Sequence, residues 1–387
     1  MNRQYPLRIL LVSLGIYSRE GGMERFYRRL LRSLADLRGS DFVEDVSVLS
    51  LWDSPDQVNG VPKGVNYFCC RSNKVTALSL FFSLAVKSQE PLMIVYGHIL
   101  LTPLAIFGRI ISRRFKQVLI VHGTEVWGKP STINKLAAKY AIDYIFSVSD
   151  FTARRMQIIY GLAENKFRLL PCAVDATPAE SSEIFATSPG LMGRWRLLTV
   201  SRLDDRYKNI DKVILALPNI LSSFPDIHYY VVGEGNWRPE LEQMANSIGV
   251  AGHVHFLGWV PDEIRDAVYK QSHIFILPST GEGFGIVFLE AWRHGLPVVA
   301  SNLDAATEIV KHGVDGFCID PNPEKIAEVI CQLFSSPERR HEMGVEGYQH
   351  LLECYSHLSF SGTLKKLLEE VSGNDVLGAN SSVEIKD

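Results

Sequence analysis

Short apolar runs of four to six residues alternate along the chain with amphipathic stretches of ten to fifteen residues. This alternation is typical of parallel strands joined by crossover helices, so the predicted fold class is α/β. The predicted strands are residues 8–13, 45–51, 92–96, 117–121, 144–147, 196–201, 228–232, 253–257, 274–277 and 297–300. The predicted helices are residues 22–37, 76–87, 101–111, 151–160, 209–224, 238–248, 261–270, 284–294, 323–334, 337–354 and 356–371.

The two series of strands are separated by a stretch of small and polar residues without apolar periodicity, 176–193, which has the composition of a linker. Residues 1–175 and 194–355 are therefore predicted to form two Rossmann-like, doubly wound domains. The last segment, 372–387, is polar and has no apolar face, so it is predicted to be disordered.

The net charge, the cysteine content and the longest apolar stretch limit the classes of partner and the cellular location that we expect. The chain carries 40 Lys and Arg against 43 Asp and Glu, a net charge of −3, so no global positive field favours a nucleic-acid partner. Its six cysteines form no Cys-x-x-Cys pair and are interpreted as thiols in a reducing cytoplasm. The longest apolar stretch, 91–107, is interrupted by His98, Thr102 and Pro103. We expect neither a membrane span nor an export signal.

Two strand-to-helix loops of the second series carry candidate chemistry, because parallel sheets bind ligands at the carboxyl ends of their strands. Arg202 and Lys208 bracket the first loop and have the charges that a diphosphate needs. In the second, Glu282 precedes a glycine-rich helix start and Glu290 follows eight residues later, so both carboxylates are able to face one cleft. The alternative interpretation is surface cations and a surface carboxylate.

Two loops of the first series are also candidates. Gly21 and Gly22 open a helix after the first strand, where the commoner role of such a pair is a turn. His122 and Gly123 directly follow the strand 117–121, and this histidine is either a substrate ligand or a structural hydrogen-bonding group. Gly-x-Gly-x-x-Gly, Gly-Lys-Ser/Thr and Gly-x-Ser-x-Gly motifs are absent, which disfavours dehydrogenases, nucleoside triphosphatases and serine hydrolases.

Taken in order, these loops resemble the retaining nucleotide-sugar glycosyltransferases of family four, which have the GT-B fold. The residues that carry the resemblance are spread over nearly the whole chain: Gly21-Gly22-Met23-Glu24, His122-Gly123, Ser201-Arg202 with Lys208-Asn209, Gly233-Glu234-Gly235, His255 to Val260, and Glu282 with Glu290. The resemblance implies two Rossmann-like domains facing a cleft, with the C-terminal helix 356–371 packing back on the first domain.

The resemblance also implies roles, with a nucleotide-sugar donor as substrate and no cofactor. Arg202 and Lys208 would hold the donor diphosphate, Glu290 the ribose and Glu282 the transferred sugar, so His122, Arg202, Lys208 and Glu282 are the predicted catalytic residues. The other predicted donor contacts are Gly21, Gly22, Gly233, Val260, Gly283, Phe284, Gly285, Ile286 and Val287. The acceptor, a saccharide or a lipid-linked saccharide, is expected to contact Glu24, His122 and Gly123 of the first domain.

Two departures from the family pattern are visible. The strand-end turn reads Pro171-Cys172-Ala173-Val174-Asp175 where many relatives have Asn-Gly, and Lys208-Asn209 replaces the commoner Lys-Gly. Asn tolerates a left-handed turn, so the role of the lysine is expected to survive. Without an Asp-x-Asp motif no metal site is predicted. Retention requires either a protein nucleophile, for which Glu125 is the candidate near His122, or attack on the same face.

The acceptor class and the enzyme class each admit more than one interpretation. Arginines 25, 28, 29 and 32 and the cluster 109–116 predict a peripheral contact with the anionic inner face of a membrane, whereas a soluble acceptor would leave those cations in water or in ion pairs. The competing classes are an epimerase of GT-B type, a phosphorylase, which would need a pyridoxal lysine, and an inactive GT-B scaffold. Nucleotide-sugar hydrolysis without acceptor discriminates the inactive scaffold from the enzymes.

Overall fold

The computed structural model describes residues 6–38, 42–87, 92–176 and 190–373. A seven-stranded sheet, in the order β3-β2-β1-β4-β5-β6-β7, is formed by the first half of the chain. Its strands are β1 (Leu7–Ser13), β2 (Val43–Ser50), β3 (Val65–Cys69), β4 (Leu92–Tyr96), β5 (Lys116–Val121), β6 (Tyr144–Ser147) and β7 (Phe167–Leu169). Its helices are α1 (Gly22–Leu37), α2 (Lys74–Lys87), α3 (Pro103–Ile111), α4 (Thr132–Tyr140) and α5 (Asp150–Tyr160).

A six-stranded parallel sheet, in the order β10-β9-β8-β11-β12-β13, is formed by the second half. Its strands are β8 (Trp195–Val200), β9 (Ile227–Val232), β10 (Val254–Gly258), β11 (Ile274–Leu277), β12 (Val298–Ser301) and β13 (Gly316–Ile319). The helices are α6 (Ile210–Leu221), α7 (Arg238–Ser247), α8 (Asp262–Gln271), α9 (Ile286–Arg293), α10 (Ala306–Ile309), α11 (Pro323–Ser335), α12 (Pro337–Cys354) and α13 (His357–Ser372). Within the described ranges, no helix combines the length and the apolar composition that a membrane span requires.

Both strand orders are those of doubly wound Rossmann-like sheets, as predicted. The central strands are almost completely buried because helices cover both faces, and β4 is buried at all five positions. In the second sheet, α6, α11 and the strands between them share one apolar cluster that includes Leu217, Tyr229 and Phe334. Burial on both faces explains why continuous apolar runs, rather than alternation, located these strands.

The prediction missed three strands and two short helices. Strand β3 lies at the sheet edge and is half-buried, so its sequence lacks a clear apolar run. Strands β7 and β13 have three and four residues and include Arg168 and Gly316, so neither has a continuous apolar run of four residues. Helix α4 buries only Asn134, Ala137 and Ala138 and exposes larger apolar side chains, which hides its amphipathic pattern. Helix α10 has four residues.

Contacts divide the chain into two units. Unit 1 comprises residues 1–119, 132–145 and 361–387, and unit 2 comprises residues 120–131 and 146–360. The predicted limits 1–175 and 194–355 differ from these units, because the loops after β5 and β6 and the segment that follows them group with the second series. Residues 177–189 of the predicted linker and 374–387 of the predicted disordered tail lie outside the described residues.

The C-terminal helix belongs in part to unit 1, as the predicted fold requires. Residues 361–373 group with that unit, and the hydroxyl of Ser361 lies 2.7 Å from the hydroxyl of Ser33 on α1. The helix therefore returns to the first half of the chain through a contact with α1.

Candidate functional site

An ion pair between Lys208 and Glu282 forms the centre of the candidate site in unit 2. The two side chains retain 11% and 14% of their accessible surface, so both charges are largely withdrawn from water. Lys208 ends a short 3-10 turn after β8, and Glu282 lies in the loop between β11 and α9. The fold therefore brings together two predicted site residues that are 74 positions apart.

Asn209 fixes the turn that directs Lys208. It has a left-handed backbone, with φ of 55°, which Asn accepts more readily than most residues. Its side-chain amide donates to the Pro278 carbonyl at 2.8 Å, and the Thr280 N–H donates to the Tyr207 carbonyl at 2.8 Å. Replacing the family's glycine by Asn thus keeps the turn and adds a bond to the Glu282 loop.

Asp304 is a further residue at this site, and sequence analysis missed it. Its carboxylate accepts the N–H of Glu282 at 2.8 Å and the N–H of Ala306 at 3.0 Å, and the residue is 2% exposed. Burial raises the pKa of Asp304 to about 7; the two N–H bonds and Lys208 oppose this rise, and Glu282 adds to it. One feature of the sequence could have identified Asp304. It is a carboxylate in the loop after β12, and the other site loops also follow strands.

Gly283 packs directly against the backbone of the His122 loop, within unit 2. A Cβ atom at Gly283 would lie 1.9 Å from the His122 carbonyl oxygen and 2.8 Å from Gly123 Cα. Gly123 has φ of 150°, which favours glycine. Ser149, at the start of α5, donates to the Gly283 carbonyl at 2.6 Å. Glycine at 283 thus permits the His122 loop to approach the Glu282 loop.

Glu125 holds the His122 loop rather than facing outward as a nucleophile would. Its carboxylate accepts the backbone N–H of His122, and bonds from His122, Gly123 and its own N–H lower its pKa against a larger rise caused by burial. These bonds direct the carboxylate into the turn.

The start of α9, within the residues 284 to 287 predicted to contact the donor, has backbone N–H groups without an acceptor inside the helix. Gly285 precedes the helix with φ of 92°, and the first helical residues, Ile286 and Val287, have no preceding turn to accept their N–H groups. Phe284 is buried, with its ring edge-to-face on Tyr355 at 5.7 Å. The helix start therefore presents free N–H groups beside Glu282.

Glu290 lies deeper than Glu282. It is 4% exposed and accepts the Tyr269 hydroxyl at 3.2 Å, while Nε of Arg265 lies 3.8 Å from the same carboxylate oxygen. Arg265 also pairs with Asp262 at 2.7 Å, and its carboxylate neighbours raise the pKa of its guanidinium against the effect of burial. Tyr269 and Arg265 are thus protein partners of this buried carboxylate, and the predicted ribose contact of Glu290 remains a prediction.

Arg202 is the solvent-exposed member of the predicted set. Its side chain is 76% exposed, and its guanidinium lies 3.7 Å from the Asp205 carboxylate. The Tyr207 hydroxyl donates to the same carboxylate at 3.1 Å. An exposed arginine at the mouth of the loop is free to turn toward an anion.

The motif Gly233-Glu234-Gly235 brings two strand-end loops of the second sheet into contact. Gly233 has φ of 135°, and a Cβ atom there would lie 1.9 Å from the Ser201 carbonyl oxygen. The Leu203 N–H donates to the Glu234 carbonyl at 2.9 Å. Val260 is half-buried and follows the exposed Trp259. Gly233 thus supports the Arg202 loop.

The three remaining predicted residues lie in unit 1. Gly21 is extended and precedes α1, Gly22 is its first residue, and a Cβ atom at Gly21 would meet the Glu24 carboxylate at 2.6 Å. Glu24 therefore folds back over the helix start, an arrangement that suits the positive end of the helix dipole. Among the described residues, no group of three or more His, Cys, Asp or Glu side chains is placed to hold a metal ion.

Two family models match the chain. The model described as Glycosyltransferase Family 4 matches residues 20–177, and the model described as Glycosyl transferases group 1 matches residues 181–350. Together they cover most of both sheets and every predicted site residue. The protein is a nucleotide-sugar glycosyltransferase by class, and it belongs to the family-four type with the GT-B fold.

Two curated relatives are mannosyltransferases. The GDP-mannose-dependent alpha-(1-6)-phosphatidylinositol monomannoside mannosyltransferase of Mycolicibacterium smegmatis is 29% identical over 69% of this chain and 74% of its own length. The protein of that name from Mycobacterium tuberculosis is 31% identical over 53% of this chain and 56% of its own length.

Solved structures share the fold. Sucrose-phosphate synthase from Thermosynechococcus elongatus superposes with a TM-score of 0.76 at 18% identity, over 95% of this chain and all of that one. Anabaena HepE in complex with UDP-glucose superposes with a TM-score of 0.71 at 18% identity, over 94% of this chain and 99% of that one.

Proposed function

We propose that the protein transfers a hexose from a nucleoside diphosphate sugar to a saccharide or lipid-linked acceptor of cell-envelope or exopolysaccharide synthesis, with retention of configuration and without a metal ion. The observation that carries the proposal is the largely buried ion pair between Lys208 and Glu282, close in sequence to the backbone N–H groups at the start of α9. Cations and N–H donors in a site shielded from water are suited to stabilise the charge of a departing diphosphate.

The proposed role of each side chain follows from its charge. Lys208, with the exposed Arg202, would neutralise the diphosphate as the bond between the anomeric carbon and the phosphate oxygen breaks. Glu282 would accept hydrogen bonds from hydroxyls of the transferred sugar, and Asp304 would fix Glu282 through its N–H. Because Arg202 and Lys208 supply positive charge, a divalent ion is not needed for that step.

Same-face attack is the form of retention that we propose. The candidate nucleophile, Glu125, directs its carboxylate to the backbone of its own turn, which leaves it poorly placed to attack a sugar. The acceptor hydroxyl would then form the new bond to the anomeric carbon on the face that the diphosphate leaves, as the carbon–oxygen bond to the diphosphate breaks and the hydroxyl proton passes to the departing phosphate oxygen. His122, whose backbone contacts Gly283, would lie beside the sugar.

The relatives support a particular donor and acceptor class. The curated mannosyltransferases carry GDP-mannose and phosphatidylinositol mannoside in their names, so GDP-mannose and a lipid-linked saccharide are the first pair to test. The HepE structure contains UDP-glucose, so UDP sugars form the second set. A soluble small-molecule acceptor is the competing proposal, and it predicts transfer without lipid.

The test combines binding with transfer. A thermal-shift panel of GDP, UDP and ADP sugars identifies the donor, since a ligand at 100 times its dissociation constant stabilises by about 2.7 kcal/mol. Transfer to lipid-linked and soluble acceptors is then followed by product analysis, in which the anomeric configuration reports retention. Full turnover in excess chelator is expected. Absence of binding to every sugar nucleotide would instead support an inactive GT-B scaffold, and turnover restored by Mg²⁺ or Mn²⁺ after chelation would contradict metal independence.

A further inference from the structure

Three neighbouring helices of unit 1 expose large apolar side chains. Of the twenty large hydrophobic residues that are exposed in the described chain, nine lie between residues 75 and 140. They are Val75, Leu78 and Val86 of α2, Leu100, Phe107 and Ile110 of α3 and the turn before it, and Ile133, Leu136 and Tyr140 of α4. We refer to these nine residues as the α2–α4 face. Concentrations of exposed apolar surface of this kind mark interaction sites.

The three helices of the α2–α4 face are neighbours. Right-handed crossovers from β3 to β4, β4 to β5 and β5 to β6 place α2, α3 and α4 on the same face of the first sheet. Helix α3 contacts both of its neighbours, and the rings of Phe82 on α2 and Phe107 on α3 pack edge-to-face at 5.6 Å.

The exposed side chains are not those that hold the helices on the sheet. Helix α2 buries Ala77, Phe81 and Ala85, spaced one turn apart, and α4 buries Asn134, Ala137 and Ala138. The apolar residues Ile133, Leu136 and Tyr140 form a second stripe at helical spacing on the outer side of α4. The exposed fractions of these three side chains are 50%, 48% and 70%, so the outer stripe is accessible to a partner.

The charge of the same region has one sign. Helices α2, α3 and α4 contain no Asp or Glu; they carry Lys74, Lys87, Lys135 and Lys139, and also Arg109, which pairs with Asp143. From residue 57 to residue 124 the sequence has a single carboxylate, Glu90, against eight Lys and Arg. Lysine side chains beside apolar ones place their stems on an apolar surface and their ammonium groups among anionic headgroups.

The arginines of α1, which were the other predicted membrane contact, are in a different situation. Helix α1 lies on the opposite face of the sheet by the same crossover rule and contacts Ser361 of α13. Arg28 pairs with Glu20 at 2.7 Å and donates to the Ile16 carbonyl at 3.0 Å. In the 109–116 cluster, Arg109 pairs with Asp143 and donates to the Phe115 carbonyl at 2.7 Å. These two arginines serve the fold.

We propose that the α2–α4 face docks on an anionic lipid bilayer. The proposal rests on the proposed function in that a lipid-linked acceptor would lie in the same bilayer. A second copy of the chain is the less suitable occupant, because an isologous contact would place this one-signed face against itself. The apolar stripe inserts at the headgroup level, and the lysines contact the phosphates.

The experiment is co-sedimentation of the full chain with phosphatidylglycerol–phosphatidylcholine vesicles and with phosphatidylcholine vesicles. Ile110→Ser with Leu136→Ser is expected to weaken binding to both kinds of vesicle by at least about tenfold. Lys74→Gln with Lys135→Gln is expected to weaken binding to anionic vesicles by about tenfold and to change neutral vesicles little. The matched control is Val345→Ser with Leu358→Ser, which removes two exposed apolar side chains of unit 2, 45% and 82% exposed.

The outcomes separate the two proposals because the vesicle assay contains neither donor nor acceptor. Unchanged vesicle binding in both test variants, or an equal loss in the control, overturns the docking surface. A change in self-association by sedimentation velocity with vesicle binding unchanged would assign the face to a second copy instead. Intact melting temperatures and sugar-nucleotide binding show that the variants are folded. Vesicle binding without any glycosyl transfer would refute the proposed function alone.

Discussion

The two ends of one segment, Glu282 and Glu290, carry the same chemical group in opposite settings. Glu282 lies in a loop, pairs with Lys208 and is held through its N–H by Asp304. Glu290 lies inside α9, where Tyr269 and Arg265 of α8 surround its carboxylate. The sequence motif gives no reason to distinguish the two glutamates, whereas their contacts in the structure differ.

The difference is that the partner of Glu282 lies at a loop, whereas Glu290 faces a buried guanidinium. An ion pair at a loop is able to exchange partners when an anion arrives, because the Lys208 ammonium group lies at the diphosphate position that we propose. A carboxylate that faces a buried guanidinium leaves that cation unpaired if it moves. We therefore expect changes at Glu282 to affect donor binding and changes at Glu290 to affect stability as well.

Lys208→Ala is expected to have the largest effect on transfer. It removes the buried cation of the proposed diphosphate site, and loss of one such donor lowers kcat by about a hundredfold to a thousandfold. Steady-state kinetics with the identified donor measure the effect, and Lys212→Ala on α6 is the charge-matched control. Equal activity of the two variants would remove Lys208 from the mechanism.

Gly283→Ala tests the contact between the Glu282 loop and the His122 loop. Its Cβ atom would overlap the His122 carbonyl at 1.9 Å, and a displacement of about 1 Å at a reacting centre costs about a hundredfold in rate. Gly128→Ala is the control, since a Cβ atom there has no neighbour within 4 Å. Wild-type turnover by Gly283→Ala would show that the approach of the two loops is not needed.

Glu290→Gln and Glu282→Gln sharpen the comparison directly. Glu290→Gln leaves Arg265 with Asp262 as its remaining described carboxylate partner, so the free energy of unfolding is expected to fall by about 1–3 kcal/mol. Glu282→Gln is expected to lower donor affinity with a smaller loss of stability. Denaturant titration ranks the two variants by loss of unfolding free energy, and calorimetry ranks them by loss of donor affinity. Reversal of either order would contradict the division of roles, and normal nucleotide binding by Glu290→Gln would contradict the ribose contact predicted for it.

Asp304→Asn is expected to change the pH dependence of stability. Burial raises the pKa of Asp304 from 3.8 to about 7, so between these values the folded state holds a proton that the unfolded state has lost. Stability from this group is therefore full below about pH 4, falls as pH rises and levels off above pH 7, with a slope of at most about 1.4 kcal/mol per pH unit. Denaturant midpoints from pH 5 to 8 should fall less steeply in the variant. Identical slopes would indicate that Asp304 stays ionised in the folded protein.

The sequence by itself determined the fold class and most of the elements. Continuous apolar runs specify strands buried on both faces, and this constraint located β1, β4, β8 and β11 to within about one residue of their observed limits. It also placed Arg202, Lys208 and Glu282 in strand-end loops, because parallel sheets gather those loops at one edge. The weak signals were the edge strand β3 and the short β7 and β13, where partial burial or an interrupted run leaves no continuous apolar stretch.

Only the tertiary structure decided which partners each side chain has. The contact between Asp304 and the Glu282 N–H joins residues 22 positions apart through two neighbouring strands, and no local pattern encodes it. Burial gave Glu290 protein partners in α8 and tied Arg28 and Arg109 to their own unit, whereas charge counting treated all arginines alike. The physical reason is that hydrophobic periodicity is a property of one segment, while desolvation and hydrogen bonding depend on which segments the fold brings together.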